Sequence, residues 1–275
     1  MKPFERAGIR TTDAAGAAAV SFHEYVSDRS AALLLRELPG MLEIGSVVCV
    51  KIGNCYLAAT AAHNVQHLDP ARIEVVPAGE RRAEALSVRR IRYPSNSEDE
   101  DVACLELDPV ECARALRVRF VPLHQLASIT EQPRPLVCFL QGYPAENVER
   151  PLNSELRPLP ESDGLLTLVI PLQLRRGAHD PRLIGVEYPP HDGSLEKVGL
   201  PHPAGLSGGA VWLFPTFPEN QVWSPEKARL VAIERGWWRE EKEVIATRIE
   251  VWLRLIAMQI PELRSIIEAK FGPVV

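Results

Sequence analysis

The sequence predicts an all-β protein, a sandwich or barrel with helices at its two ends, and three observations carry that reading. Short apolar and β-branched runs recur between residues 46 and 249, separated by turn formers. The chain holds 24 prolines, where the usual share of roughly 5% would give about 14. Proline breaks helix interiors and settles in the loops between short elements. Helical texture is confined to residues 14–38 and 249–271.

In chain order, the first segment reads as helix up to a leucine cluster, SAALLLREL (30–38), that Pro39-Gly40 terminates. From Gly45 the texture turns to strands: SVVCVKI (46–52), CYLAAT (55–60), RIEVVPAG (72–79), ALSVRRIRY (85–93) and VACLELD (102–108). Gly53-Asn54 and Pro94-Ser95-Asn96 are the turn signals between them. A second set follows: PLVCFLQGYP (135–144), LLTLVIPLQL (165–174), RLIGVEYP (182–189), GAVWLF (209–214), RLVAIERGW (229–237) and EVIATRI (243–249). The tail returns to helix over Ile249–Met258 and, after Pro261, Glu262–Phe271.

At 275 residues, 46% apolar and 24% charged, the chain has the balance of a globular protein with a substantial core, in one domain or two fused halves. A net charge of -5 argues against a nucleic-acid partner, which would want a basic face. The five cysteines form no Cys-x-x-Cys pair and leave an odd count, which reads as free thiols in a reducing compartment. No run of 18 apolar residues occurs, so no membrane partner is expected. Glu5 and Asp13 precede a weakly hydrophobic alanine-rich patch, which does not read as a secretion signal. A cytoplasmic protein is expected.

PHPAGLSGGAVW (201–212) sets Ser207 among glycines ahead of an apolar run. By itself the segment is either a nucleophile beside an oxyanion pocket or the tip of a tight turn. Nucleophilic serine chemistry needs a base, and a third group to orient the base. His63, in ATAAHNV (59–65), sits where a β run ends, a sensible mount for a base. A lone histidine there is ordinarily a satisfied strand-end residue. Metal binding with His67 lacks the glutamate of His-Glu-x-x-His and any third ligand, so no metal and no cofactor are expected. In NSEDEDVACLELD (96–108) the residues Glu98–Glu100 read as a solvated loop tip. Asp101, at the junction with an apolar strand, is placed to point inward; Asp99 is the nearby alternative.

Chain order discriminates among hydrolase classes. No histidine follows Ser207, which removes the α/β-hydrolase order; the subtilisin order would leave only Asp13 or Asp28. The order His63, Asp101, Ser207 is that of the chymotrypsin class. ATAAHNV, Asp101-Val102-Ala103-Cys104-Leu105 and GLSGGAVW resemble the corresponding segments of trypsin-like (chymotrypsin-fold) serine peptidases, nearest to stand-alone bacterial forms. The resemblance covers roughly residues 45–250.

The resemblance implies two antiparallel six-stranded β-barrels with an active site between them. The chain would divide into an N-terminal helical extension (1–44), a first barrel (45–130), a second (131–248) and a C-terminal helical segment (249–275). His63 would be the base, Asp101 its orienting group and Ser207 the nucleophile. The N–H groups of Gly205 and Ser207 would form the oxyanion hole. Pro201 would floor the specificity pocket, and Glu234 and Gly236 would lie on the substrate-lining strand. The implied activity is that of a serine endopeptidase acting on protein or peptide substrates, in regulated limited proteolysis under a possible protein regulator. A catalytically silent pseudoprotease that binds a peptide or partner is the alternative; an esterase would share the nucleophile.

The chain departs from the family pattern at three places. Leu206 stands where secreted members carry an aspartate that pairs with a new N-terminus, so the turn must be held by packing or by another group. Asn64 follows the histidine where the family has a cysteine. Pro201 gives a neutral pocket floor.

Overall fold

The computed structural model describes residues 14–37, 40–77, 85–115, 119–128, 136–145, 148–149, 159–160, 163–170, 180–188, 203–213, 224–238 and 243–273. The chain opens with helix α1 (Ala14–Ser27) and then forms a first sheet. Its strands are β1 (Ser30–Glu37), β2 (Gly40–Ile52), β3 (Cys55–Thr60), β4 (Ile73–Pro77), β5 (Leu86–Arg92), β6 (Ala103–Leu107) and the two-residue β7 (Val121–Pro122). They run in the order β1-β4-β5-β6-β3-β2-β7, and β1 also pairs with β2. Every pairing is antiparallel except the short β2–β7 contact.

The second half supplies β8 (Leu136–Gly142), the small pair β9 (Val148–Glu149) and β10 (Leu159–Pro160), β11 (Asp163–Ile170), β12 (Leu183–Glu187), β13 (Ala210–Leu213), β14 (Arg229–Trp238) and β15 (Glu243–Arg248). Six of these close into an antiparallel barrel, β11-β12-β15-β14-β13-β8. Helices α2 (Ile249–Gln259) and α3 (Pro261–Phe271) follow. Every run read as β-type from sequence contains a strand among the described residues, residues 171–174 lying outside them, and both tail helices lie where their patterns put them.

The helical reading of residues 14–38 holds only for Ala14–Ser27. Ser30–Glu37 is a strand, and β2 begins at Gly40, so strand structure reaches into the 1–44 segment expected to be helical. The reason is burial on both faces: Ala31, Leu33 and Leu35 enter one apolar cluster, while Ala32 and Leu34 enter another. A short run apolar at every position has no periodicity to separate strand from helix.

Three larger clusters make the core. One fills the first sheet (Val47, Val75, Leu105) and one the barrel (Leu140, Val186, Val231). The third lies where α1, both sheets and α2 meet, around Phe22, Phe139, Trp212 and Trp252. Polar ties cross the same seam: Ser30 Oγ donates to Gln141 Oε1 at 2.5 Å, and Tyr143 OH to the Ser30 carbonyl at 3.0 Å.

Helix α2 is fixed to the first sheet by the buried Trp252, whose indole N–H donates to the Ala103 carbonyl at 3.0 Å. Trp252→Phe removes that donor and strands a buried acceptor, at a cost of about 2 kcal/mol. Urea unfolding should show the midpoint lowered with its slope unchanged. All five cysteines are free, and burial pushes the thiols of Cys112 and Cys138 up to about 12. Among the described residues no helix is long and apolar enough to cross a membrane.

Candidate active site

His63 occupies a 3-10 turn, Ala62–Asn64, at the end of β3. Its buried neighbours Ala62 and Asn64 anchor the turn and leave the imidazole about half exposed. Asp101 follows the short helical turn Ser97–Glu100 and immediately precedes β6. Its backbone is left-handed, with φ of 32°, a conformation that aspartate tolerates better than most residues but that still costs energy. That bend points the carboxyl inward, where only 6% of the residue remains accessible.

The Asp101 carboxylate grips His63 twice. Oδ1 accepts the His63 backbone N–H at 3.0 Å, and the ring Nδ1 lies 3.0 Å from Oδ2 and 3.2 Å from Oδ1. Arg235 Nε approaches Oδ2 at 3.5 Å. Burial by itself would raise the carboxyl's pKa, but the hydrogen bonds from His63 and the charge of Arg235 outweigh it and hold the pKa below the ordinary value. Asp101 is therefore ionised at neutral pH. Asp99 is exposed and hydrogen-bonds Asn96, so Asp101 is the carboxylate that meets the ring.

The acidic segment differs from its sequence reading as a solvated tip. Glu100 is half-buried and paired with Arg254 of α2 at 2.6 Å and with Arg182 at 3.9 Å. Its carbonyl accepts from Thr247 at 3.2 Å. Barrel and C-terminal helix together hold the residue that precedes Asp101.

Ser207 lies in a turn built on two left-handed glycines, Gly205 and Gly208, each with φ of 89°. At Gly208 a Cβ would meet the Ser46 carbonyl at 2.0 Å and Thr60 Oγ1 at 2.2 Å, so no side chain fits. The turn is tied to the first sheet. Ser46 N–H and Asn64 Nδ2 both donate to the Ser207 carbonyl, at 2.7 and 2.8 Å. Ser46 Oγ donates to the Gly205 carbonyl at 2.7 Å and accepts from Tyr143 N–H at 2.8 Å. Leu206 is buried over Gly142, so apolar packing holds the position where an aspartate was missed. The Ala204 carbonyl accepts from Ala145 N–H at 2.9 Å. In a trans peptide the N–H points opposite to the carbonyl, so this tie directs the Gly205 N–H away from Ala145.

Glu234 was expected on the substrate-lining strand, and its backbone does lie on β14. Its side chain, however, is buried beneath Ser207 rather than exposed along the strand. The Glu234 carboxyl hydrogen-bonds Ser207 and lies near Asp101. Its backbone carbonyl accepts Gly208 N–H, and its N–H donates to the Gly209 carbonyl, both at 2.8 Å. Burial pushes this carboxyl up to about 8, and the Asp101 charge adds to the rise; the hydrogen bond from Ser207 only partly offsets them. Gly236, two residues on, has open space where a Cβ would stand. Pro201 lies outside the described residues.

The structure thus brings His63, Asp101 and Ser207 to one seam, with Gly205 beside the serine. Sequence reading missed Ser46, the tie from Asn64 and the inward aim of Glu234. Each is a partner from a distant segment, with no local pattern to mark it. His67 lies edge-on to Tyr93, with ring centroids 6.3 Å apart. Among the described residues no cluster of three metal-ligating side chains occurs.

No protein-family model matches the chain, and no curated protein matches it. Among solved structures it is similar to that of the scabies mite inactivated protease paralogue S-I1, with a TM-score of 0.56 and 14% identity. The likeness covers 87% of this chain and 96% of that one. At that identity it shows the fold alone: one closed six-stranded antiparallel barrel, a second antiparallel sheet and C-terminal helices in the trypsin-like, chymotrypsin-type arrangement.

Proposed function

We propose that the chain is a serine endopeptidase that cuts protein or peptide substrates through an acyl-enzyme. The observation that carries this reading is the buried, ionised Asp101 holding the His63 ring through Nδ1. That contact fixes the tautomer whose Nε2 is free to accept a proton. Ser207 Oγ would attack the scissile carbonyl carbon as its proton passes to His63 Nε2. The N–H groups of Gly205 and Ser207 would hold the tetrahedral oxyanion, a contribution of about 3 kcal/mol per donor. Collapse would release the amine with the proton from His63, and water would repeat the sequence to free the acid. The open space at Gly236 suits backbone pairing with an extended substrate.

The pairing of β1 with both β4 and β2 supports reading the first sheet as a second barrel. Free thiols fit a cytoplasmic setting, where proteolysis would be restricted to particular targets and subject to a protein regulator. No metal or cofactor is required by this chemistry.

A second reading, a silent module that binds peptides in the same seam, is favoured by the Ser207 hydroxyl's engagement with Glu234. The two separate on one experiment. A fluorophosphonate probe should label the purified protein, and labelling should vanish in Ser207→Ala and His63→Ala. Peptide turnover with the same dependence would assign the endopeptidase. An unlabelled wild type, with both variants folded, would favour the binding module.

A further inference from the structure

The buried carboxyl of Glu234 is a group that serine chemistry does not ask for. It is 1% accessible, its Oε2 has no hydrogen-bond partner, and it is wired by its backbone to both glycines that follow the nucleophile. The titratable or charged groups described as facing it are Asp101, from the segment before β6, and Arg235 on its own strand. The nucleophile turn brings only the Ser207 hydroxyl, and β15 brings Ala246. Arg235 lies against Asp101, which stabilises charge there. Two neighbouring buried carboxyls resist ionising together, so the proton resides on Glu234 while Asp101 keeps its charge.

We propose, on the reading of Ser207 as a nucleophile, that Glu234 is a positioning residue that switches it. As a neutral acid Glu234 leaves the Ser207 hydroxyl free to turn to His63; as a carboxylate it captures that hydroxyl as a hydrogen-bond donor. A charged acceptor binds a hydroxyl about twice as strongly as a neutral one, so ionisation biases the rotor away from the base. The proton lost by Glu234 goes to solvent, and no covalent bond changes. The site therefore runs down on the alkaline side of neutrality, with a midpoint near the value of about 8 that burial imposes on this carboxyl.

The test is the rate of fluorophosphonate labelling between about pH 6 and 9.5 in the wild type and in Glu234→Gln, which keeps the shape but never ionises. Wild-type labelling should fall about tenfold between roughly pH 7 and 9, as expected of one titrating group. Between roughly pH 7 and 9 the variant should show no such fall, and any acid-side loss from protonation of the His63 base should be common to both proteins. A Ser207-dependent rate that falls in parallel in both proteins would overturn the switch while leaving the nucleophile intact. No labelling of either protein at any pH would overturn the serine-hydrolase reading and the switch with it. A measurement on the wild type alone guards against misfolding of the variant. Difference infrared spectra should lose one protonated-carboxyl band over the same interval, and its absence would equally overturn the proposal.

Discussion

Asp101→Asn should lower fluorophosphonate labelling and any peptide turnover by about 10³ to 10⁴-fold, with the protein still folded. The amide keeps the size of the carboxyl but offers an N–H₂ where His63 Nδ1 needs an acceptor. The ring then favours the tautomer with its proton on Nε2, which cannot take one from Ser207. Comparable loss of the orienting carboxylate in a serine triad costs about 10⁴ in turnover. A pH signature accompanies the rate. The Asp101 carboxyl is held below its ordinary pKa by its partners in the fold, so the unfolded chain binds its proton first as pH falls. Its stabilisation is full above the unfolded value and is lost as pH drops through the folded one. Thermal melts of the wild type should show this acid-side loss, and the variant should lack this group's share of it. An activity loss of less than tenfold would remove Asp101 from the mechanism.

Gly208→Ala should be the most damaging single substitution for the fold of the site. The left-handed backbone costs a side-chain-bearing residue about 1–2 kcal/mol. The added methyl would also lie 2.0 Å from the Ser46 carbonyl, which is backbone and does not swing aside. Overpacking of that kind typically adds about 1–3 kcal/mol. Together they amount to about 4 kcal/mol, or about 7 °C in melting temperature for a chain of this length. Displacing the turn also moves the Ser207 N–H, so labelling should drop at least about 100-fold. Gly236→Ala is the matched control: it has open space and should stay within about 0.5 kcal/mol. Scanning calorimetry on both variants decides the point.

The strands were legible because their runs are short, β-branched and punctuated by turns, and the helices at the C-terminus because Pro261 separates two amphipathic stretches. Ser30–Glu37 was not, since a strand apolar on both faces looks like any buried helix segment. The chemistry-bearing residues announced themselves through order along the chain and through the glycines that a tight turn demands. Their supports did not. Ser46 is an ordinary strand serine until the second half of the chain folds against it. Glu234, at the end of the unbroken apolar run Leu230–Ile233, offered no local sign of whether it faces the cleft or the space under Ser207.

Ser46 and Ser207 are 161 positions apart, yet one main-chain hydrogen bond sets the backbone of the second from the first. The Ser207 turn is thus a property of the junction between the halves rather than of the half that encodes it. Substitutions on the two sides of that junction will not be additive. On the proposed reading, a change at position 46 should be read out as a change in reactivity at position 207. The halves of this chain are therefore not interchangeable parts: each carries the other's tolerance for mutation.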